Sequence, residues 1–191
     1  DLGGLPGLDG IETGRDALVL GAGATLARLA AHPDIARACP AVAQAAAAVA
    51  APAHRSVATL GGNLCLDTRC VYYNQSEWWR AANGYCLKRG GDTCHVAPQG
   101  RRCHAAYSGD LAPALLVHDA EAELVGASRA RRVPLAELFR DDGAAHLTLG
   151  PGEILAQVRV PAGAGGRRSA YRKLTVRGAI DFPLAGVACA V

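Results

Sequence analysis

The sequence of 191 residues has no methionine, few aromatic residues (5%) and no apolar run long enough to cross a lipid bilayer. Its longest apolar tract, residues 40–53 (PAVAQAAAAVAAPA), is mostly alanine, whereas a membrane-spanning helix needs about 20 apolar residues. These absences argue against a membrane role, and we expect a soluble, cytoplasmic chain.

Strong charge of either sign is also missing. Twenty Lys and Arg residues against 17 Asp and Glu give a formal charge of +3, and the basic residues are scattered apart from residues 129–132 (RARR). Nucleic acid binding needs a concentrated basic patch, so it is not expected here. The chain begins at Asp1 and stops within an apolar run, so we expect an internal part of a longer protein, with any targeting segment upstream.

The first third of the sequence is predicted to be mainly helical. Residues 17–20 (ALVL) indicate a buried strand, and Thr25 is expected to be the N-cap of a helix that ends before Pro33. A second helix is expected over residues 34–50, interrupted near Pro40.

Antiparallel strands are predicted in the second half, after a short buried helix at residues 111–118. The two expected β-hairpins join residues 121–125 with 131–133 and residues 146–149 with 154–160. Residues 163–168 (GAGGRR) are predicted to be a flexible boundary. Helices followed by antiparallel strands indicate the α+β fold class.

Cysteines and aromatic rings are concentrated in one segment. Positions 65 to 103 contain five cysteines: Cys65, Cys70, Cys86, Cys94 and Cys103. Six of the nine Trp, Tyr and Phe residues lie in the same region: Tyr72, Tyr73, Trp78, Trp79, Tyr85 and Tyr107. This concentration indicates a module with its own function, centred on a metal or redox group.

Three thiol chemistries remain open for this segment. Zinc sites usually contain close Cys pairs, whereas the last three gaps here are 16, 8 and 9 positions. Disulfides need an oxidising compartment, and five thiols leave one unpaired. An iron–sulfur cluster tolerates wide spacing and benefits from apolar cover, so it fits best. A zinc- or disulfide-stapled binding module is the alternative from another functional class.

The four ligands predicted for a cluster are Cys70, Cys86, Cys94 and Cys103. Cys65 is left out because it closely follows a glycine-rich loop that is expected to fix its position. His95 and His104 directly follow two of the predicted ligands; they are alternative ligands, but local hydrogen bonding is the favoured interpretation. Cys39 and Cys189 lie in apolar surroundings and are predicted to belong to the core.

Two glycine-containing segments suggest a phosphate-binding loop. In residues 59–63 (TLGGN), the glycines would let a phosphate approach the backbone while Thr59 and Asn63 offer polar side chains, although a tight turn is the simpler interpretation. Residues 21–24 (GAGA) follow a strand but lack the third glycine of a dinucleotide fingerprint, so they are predicted to form a turn.

Four motifs in this order resemble the FAD-binding subunits of the molybdenum hydroxylases, the group that includes xanthine dehydrogenase and carbon monoxide dehydrogenase. They are TLGGN at 59–63, GDLAPALL at 109–116, GEIL at 152–155 and YRKLTVRGAIDFPLAGVACAV at 171–191. The resemblance covers the whole chain and implies an FAD-binding domain with helices packed on an antiparallel sheet.

The same resemblance implies a domain organisation. It consists of the end of an N-terminal subdomain at 1–16, a second FAD-binding subdomain at 17–162 and the start of a C-terminal domain at 167–191. In most members the glycine loop runs almost directly into the Gly-Asp-Leu motif. Residues 66–105, which contain all four predicted ligands, are therefore expected to be an insertion.

The insertion resembles that of the flavin subunits of 4-hydroxybenzoyl-CoA reductases, through residues 69–86 (RCVYYNQSEWWRAANGYC) and 91–115 (GDTCHVAPQGRRCHAAYSGDLAPAL). There the inserted loop holds a 4Fe-4S cluster through four cysteines, which implies the same role for the four cysteines chosen above. The implied activity is reductive dehydroxylation to benzoyl-CoA. A similar insertion in molybdenum aldehyde oxidoreductases, with a less similar loop, supplies the alternative.

The resemblance implies FAD contacts at Thr59, Leu60, Gly61, Gly62, Asn63, Asp110, Leu155 and Lys173. Residues 59–63 would contact the pyrophosphate, Asp110 the sugar or adenine side, and Leu155 and Lys173 the flavin. The implied partners are a molybdenum-cofactor large subunit, a 2Fe-2S small subunit and a ferredoxin-like electron donor. Since the sequence shows no acid–base dyad or nucleophile, the substrate is expected to react on a partner subunit.

Overall fold

The computed structural model describes residues 2–163, 167–178 and 180–191. The chain forms two compact units. The first consists of Asp1–Cys65, Gly109–Leu138 and Leu149–Val191, and the second of Leu66–Ser108 and Phe139–Thr148.

The α-helices of the described residues follow the first two strands of the chain and precede the other five. They are α1 (Leu26–Ala31), α2 (Pro33–Ala38), α3 (Pro40–Ala48), α4 (Pro52–Arg55), α5 (Leu60–Leu64), α6 (Glu77–Ala82) and α7 (Leu111–Leu116). The Thr25 side chain accepts a hydrogen bond from the backbone N–H of Arg28, which confirms it as the N-cap of α1. Proline begins α2 and α3, because its fixed φ suits the first helical turn, and this confirms the interruption at Pro40.

The strands form two antiparallel sheets in the first unit. They are β1 (Ile11–Thr13), β2 (Ala17–Gly21), β3 (Glu121–Val125), β4 (Ala130–Pro134), β5 (Ile154–Pro161), β6 (Ser169–Leu174) and β7 (Ala185–Ala190). The larger sheet has the order β1-β2-β5-β3-β4, and β6 pairs with β7. The predicted hairpin of β3 and β4 is confirmed, with Glu121 opposite Pro134 and Val125 opposite Ala130. Helices with antiparallel sheets confirm the α+β fold class.

The second predicted hairpin is wrong. Strand β5 lies between β2 and β3, where Val158 faces Leu20 on one side and Ala122 on the other. Both hydrogen-bonding edges of β5 are therefore occupied, and no edge is left for residues 146–149. Instead, Leu147 forms an isolated bridge with Phe139 within the second unit.

Leucine dominates the core of the first unit. Its largest fully buried side chains are Leu20, Leu26, Leu29, Ile35, Leu60, Leu64, Leu111, Leu115, His118, Leu124, Leu135 and Leu138. Cys39 is buried as predicted, and burial raises the pKa of its thiol to about 11. The prediction that Cys189 belongs to the core is wrong. This residue is exposed, because it lies on β7, where most side chains are uncovered.

Two further expectations concern the boundary predicted at residues 163–168 and the absence of a membrane-spanning helix. Part of the predicted boundary at residues 163–168 lies outside the described residues, since 164–166 are not among them. Within the ranges that the structure describes, no helix has the length and apolar character that crossing a membrane would require.

Candidate cofactor-binding sites

The TLGGN motif forms the start of a short helix rather than an open loop. Thr59 is the N-cap of α5, and its Oγ1 accepts a hydrogen bond from the Gly62 N–H at 3.1 Å. The N–H groups of Leu60 and Gly61 donate to the carbonyls of Ala24 and Ala22 at 2.9 and 2.7 Å. The motif is therefore held against the GAGA turn at residues 21–24.

The glycines of these two motifs have different roles. A Cβ on Gly21 would lie 2.3 Å from the Leu8 carbonyl oxygen, and one on Gly61 would lie 3.0 Å from the Ala22 Cβ. These two glycines are required for close backbone packing. Gly62 is exposed, and an added Cβ there would meet only the Thr59 Oγ1 within 4 Å. The backbone at Gly62 is thus the part of the motif that an extended ligand can approach, which fits a pyrophosphate.

Asn63 joins the TLGGN motif to the GDLAP motif. Its side chain is buried, and its Oδ1 accepts a hydrogen bond from the backbone N–H of Leu111 at 3.0 Å. Leu111 begins α7, directly after Asp110. Two segments that are 48 residues apart in the sequence are in this way brought together.

Asp110 and Lys173, to which the family resemblance assigns contacts with the same cofactor, form a buried ion pair. The Lys173 Nζ lies 3.1 Å from the Asp110 Oδ1, with side-chain exposures of 9% and 5%. Lys173 also donates to the Ala48 carbonyl, and the Tyr171 hydroxyl donates to Asp110 at 2.8 Å. Burial, followed by the bond to Asp110, raises the pKa of Tyr171 far above its usual range.

Tyr171 contacts the predicted FAD residue Asp110, and sequence reasoning did not single it out. Alternate residues of a strand point to the same face, so Tyr171 and Lys173 share one face of β6. This spacing was the signal that could have found it. The backbone N–H of Tyr171 donates to the Gln44 side chain of α3, which fixes this part of β6 against the helix.

Leu155, the eighth predicted FAD residue, lies on a different element. It is buried on β5 and pairs with Leu124 of β3. Its side chain contributes to the sheet core of the first unit, and its predicted flavin contact stays a prediction.

Three of the four predicted cluster ligands are buried in the second unit. Cys86, Cys94 and Cys103 are 9%, 4% and 8% exposed. Burial raises the pKa of the Cys103 thiol, and the charges of Cys94 and Cys86 raise it further, so both of these thiols lie within electrostatic range of Cys103. Cys70 is only partly buried, and its place beside the other three stays a prediction.

Backbone N–H groups point at these sulfurs. The Ala105 N–H donates to the Cys103 Sγ at 3.4 Å. Burial raises the pKa of Cys94, but hydrogen bonds from the N–H groups of His104, Ala97 and Val96 outweigh it and leave the pKa below its usual value. Such donors favour the thiolate, the form that binds iron in a cluster, and they tune cluster potentials.

A site for a single metal ion and a 4Fe-4S cluster require different arrangements of thiols. In the ranges that the structure describes, no three His, Cys, Asp or Glu side chains are grouped to hold a metal ion. A 4Fe-4S cluster does not need that grouping, because each thiolate binds a different iron and the sulfurs are held farther apart than around one ion.

An aromatic cluster covers one side of Cys86. The ring of Tyr72 lies 6.3 Å from that of Trp79 and 5.5 Å from that of His95, and these rings line a small pocket together with Cys86. The His95 ring donates a hydrogen bond to the Tyr85 carbonyl at 2.8 Å, in line with the local role expected for it.

Cys65 lies at the end of α5 in the first unit. Its backbone N–H donates to the Gly61 carbonyl at 2.8 Å, and burial raises the pKa of its thiol. The residue is therefore fixed by the helix that begins with the TLGGN motif.

Comparison with known proteins supports a flavin-binding assignment. Residues 1–163 match the model of the family described as FAD binding domain in molybdopterin dehydrogenase. The chain is 33% identical over 201 residues to the aldehyde oxidoreductase FAD-binding subunit PaoB of Escherichia coli K12, an alignment that covers 100% of this chain and 63% of PaoB.

Solved structures share the fold. The Cu,Mo-CO dehydrogenase superposes with a TM-score of 0.67 at 24% identity, over 95% of this chain and 49% of that one. Quinoline 2-oxidoreductase from Pseudomonas putida 86 gives 0.67 at 19% identity, over 96% and 49%. The chain thus spans about half the length of these solved chains and 63% of PaoB.

Proposed function

Because the chain belongs to the family of FAD-binding domains in molybdopterin dehydrogenases, we propose that it transfers electrons as the flavin-binding part of a molybdenum-containing oxidoreductase. The family match over residues 1–163 carries this proposal. Bound FAD would supply one- and two-electron redox chemistry, while the protein supplies binding and orientation.

The residues proposed to hold FAD come from four parts of the chain: α5, the start of α7, β5 and β6. Residues 59–63 would receive the pyrophosphate, with the exposed backbone at Gly62 allowing close approach. Asp110 would accept hydrogen bonds from the sugar, since its carboxylate is already oriented by Tyr171 and Lys173. Lys173 and Leu155 would contact the flavin.

A 4Fe-4S cluster bound by Cys70, Cys86, Cys94 and Cys103 is the second proposed centre. Support comes from the burial of three of these thiols, from the electrostatic effect of Cys86 and Cys94 on Cys103, and from the N–H groups directed at Cys94 and Cys103. The cluster would exchange electrons between a ferredoxin-like partner and FAD. A large molybdenum subunit and a 2Fe-2S subunit would complete the complex.

Two reactions are candidates for the complex. The insertion sequence favours reduction of 4-hydroxybenzoyl-CoA to benzoyl-CoA, whereas 33% identity along the whole chain to an aldehyde oxidoreductase subunit favours aldehyde oxidation. The complex containing the full-length protein should be assayed with both substrates and an artificial redox dye. Turnover of neither substrate would contradict both assignments while leaving the cofactor proposals to the tests below.

Cofactor analysis of the full-length protein, purified anaerobically, tests the two centres. We expect FAD, iron and acid-labile sulfide, with visible absorbance from both groups. A colourless protein with stoichiometric zinc would refute the cluster and favour a stapled binding module.

One substitution tests the proposed position of the FAD pyrophosphate. Gly62→Val should release FAD, because its side chain would fill the exposed side of the motif. Gly178→Val is the matched control, since an added Cβ there meets no atom within 4 Å. FAD at wild-type stoichiometry in Gly62→Val would contradict this placement.

A further inference from the structure

The second unit contains a buried lysine for which sequence reasoning gave no role. Lys88 lies on a short 3₁₀-helix, Leu87–Arg89, two residues after Cys86. Its side chain is only 6% exposed. Lysine is rarely buried to this extent unless its ammonium is fully bonded, so its partners define what it does.

The Lys88 ammonium is held by oxygen atoms from two separate chain segments. It donates to Asp67 Oδ1 at 2.6 Å, to Thr68 Oγ1 at 2.5 Å, and to the carbonyls of Thr68 and Gly143 at 3.2 Å each. It also lies 4.8 Å from the centre of the Tyr73 ring, where a cation is attracted to the aromatic face. The charge is thus fixed in position.

This lysine is linked to a predicted cluster ligand through Gly143. The Gly143 carbonyl accepts from Lys88 and from the Thr68 hydroxyl, while the Gly143 N–H donates to the Cys103 carbonyl at 2.9 Å.

The counter-charge of Lys88 is much more exposed to water than Lys88 itself. The side chain of Asp67, its ion-pair partner, is 65% exposed. Water and salt screen an exposed charge far more strongly than a buried one. At the cysteine cluster, the field of Lys88 therefore exceeds that of Asp67.

On the basis of the cluster proposed above, we propose that Lys88 sets the reduction potential of that centre: its buried ammonium, fixed by Asp67, Thr68 and Gly143, stabilises the reduced cluster and raises the potential. Reduction adds one electron to the cluster, with no bond formed or broken. A nearby positive charge stabilises the added negative charge, so Lys88 acts as a positioning residue for charge rather than as a ligand.

The test is a redox titration of the full-length protein, with dithionite as reductant and the electron paramagnetic resonance signal of the reduced cluster as readout. Iron and sulfide are measured on each sample. Lys88→Met should shift the midpoint to more negative potential, whereas Lys88→Arg should stay near wild type. Arg89→Met is the matched control: it removes a neighbouring charge that is 50% exposed and should shift the midpoint several times less.

The outcomes separate this inference from the cluster proposal. A wild-type protein without cluster iron refutes the cluster and the inference together. A fully loaded Lys88→Met protein with the wild-type midpoint overturns the inference alone. If Lys88→Met loses its iron, Asp67→Asn decides: with the counter-charge gone the midpoint should rise, and an unchanged or lower value overturns the inference.

Discussion

The side-chain oxygen of Asn63 lies 3.0 Å from the backbone nitrogen of Leu111 and accepts its hydrogen bond. This bond joins α5, which carries the glycine motif, to the start of α7. Both motifs are assigned to FAD, so the bond fixes two parts of one proposed site.

Replacing Asn63 should therefore affect stability and FAD binding together. Asn63→Leu leaves the Leu111 N–H without this buried acceptor, and we expect the free energy of unfolding to fall by about 1–3 kcal/mol. Urea unfolding and the FAD content of the purified protein measure the two effects. Asn83→Ala, which loses only an exposed hydrogen bond to Trp79, should change stability by less than about 0.5 kcal/mol.

Breaking the Asp110–Lys173 ion pair should lower the free energy of unfolding more than the Asn63 substitution does, and the effects of the two single substitutions should not be additive. Lys173→Met leaves a buried carboxylate without its cation, so we expect a loss of about 3–5 kcal/mol in the free energy of unfolding. Asp110→Asn together with Lys173→Met should recover a substantial part of this loss, because no charge then remains buried. A double-mutant cycle by urea unfolding checks this, and strictly additive losses would contradict it.

The proposed set of cluster ligands predicts different iron contents for substitutions at two cysteines. Cys86→Ser should abolish cluster iron, because it removes one of four proposed thiolate ligands. Cys65→Ser should largely keep the iron, since Cys65 is fixed at the end of α5. Iron and sulfide analysis of both full-length variants decides, and equal loss in both would show that the four ligands were chosen wrongly.

Gly143 predicts a steric effect on the second unit. A Cβ at this position would lie 2.5 Å from the carbonyl oxygen and 2.7 Å from the nitrogen of Ala105, whose N–H donates to the Cys103 sulfur. Gly143→Ala should cost about 1–3 kcal/mol and lower the iron content. Gly178→Ala, where the added methyl meets open space, should leave both unchanged.

Glu153 predicts an acid-dependent contribution to stability. The bond from Arg131, followed by that from the Gly150 N–H, lowers its pKa to about 2. Because the pKa is lower in the folded state, the ionised Glu153 stabilises the fold at pH values above 4.5, the ordinary glutamate pKa. This stabilisation is lost as the pH falls towards 2.

In Glu153→Gln, the urea midpoint should therefore fall less between pH 5 and pH 3 than in wild type. Glu12→Gln, at an exposed residue of β1, serves as the control and should keep the wild-type dependence. An identical fall in wild type and Glu153→Gln would count against the Arg131 interaction as its cause.

Local signals in the sequence were sufficient to predict backbone structure where the interaction spans only a few residues. A capping threonine at Thr25, a proline at Pro40 and a short turn between β3 and β4 each determine nearby backbone geometry, and all three predictions are confirmed. The apolar pattern of residues 154–160 identified a strand correctly but could not identify its partners, because both edges pair with segments distant in the sequence.

Long-range side-chain partners account for most of what sequence reasoning missed. Tyr171 meets Asp110 across 61 positions and Lys88 meets Gly143 across 55, and no local pattern reports such contacts. Cys189 was wrongly predicted to be buried. An apolar sequence indicates burial only where other elements cover the strand, and among the described residues β7 is largely exposed.

The second unit is assembled from Leu66–Ser108 and from Phe139–Thr148, which the chain visits only after a further 30 residues. Engineering this module into another flavoprotein would therefore require two grafts rather than one. Transplanting only the cysteine-containing segment would leave Thr68 and Lys88 without the Gly143 carbonyl and Cys103 without its Gly143 donor. Both segments together are therefore the minimum unit for transferring the proposed cluster site.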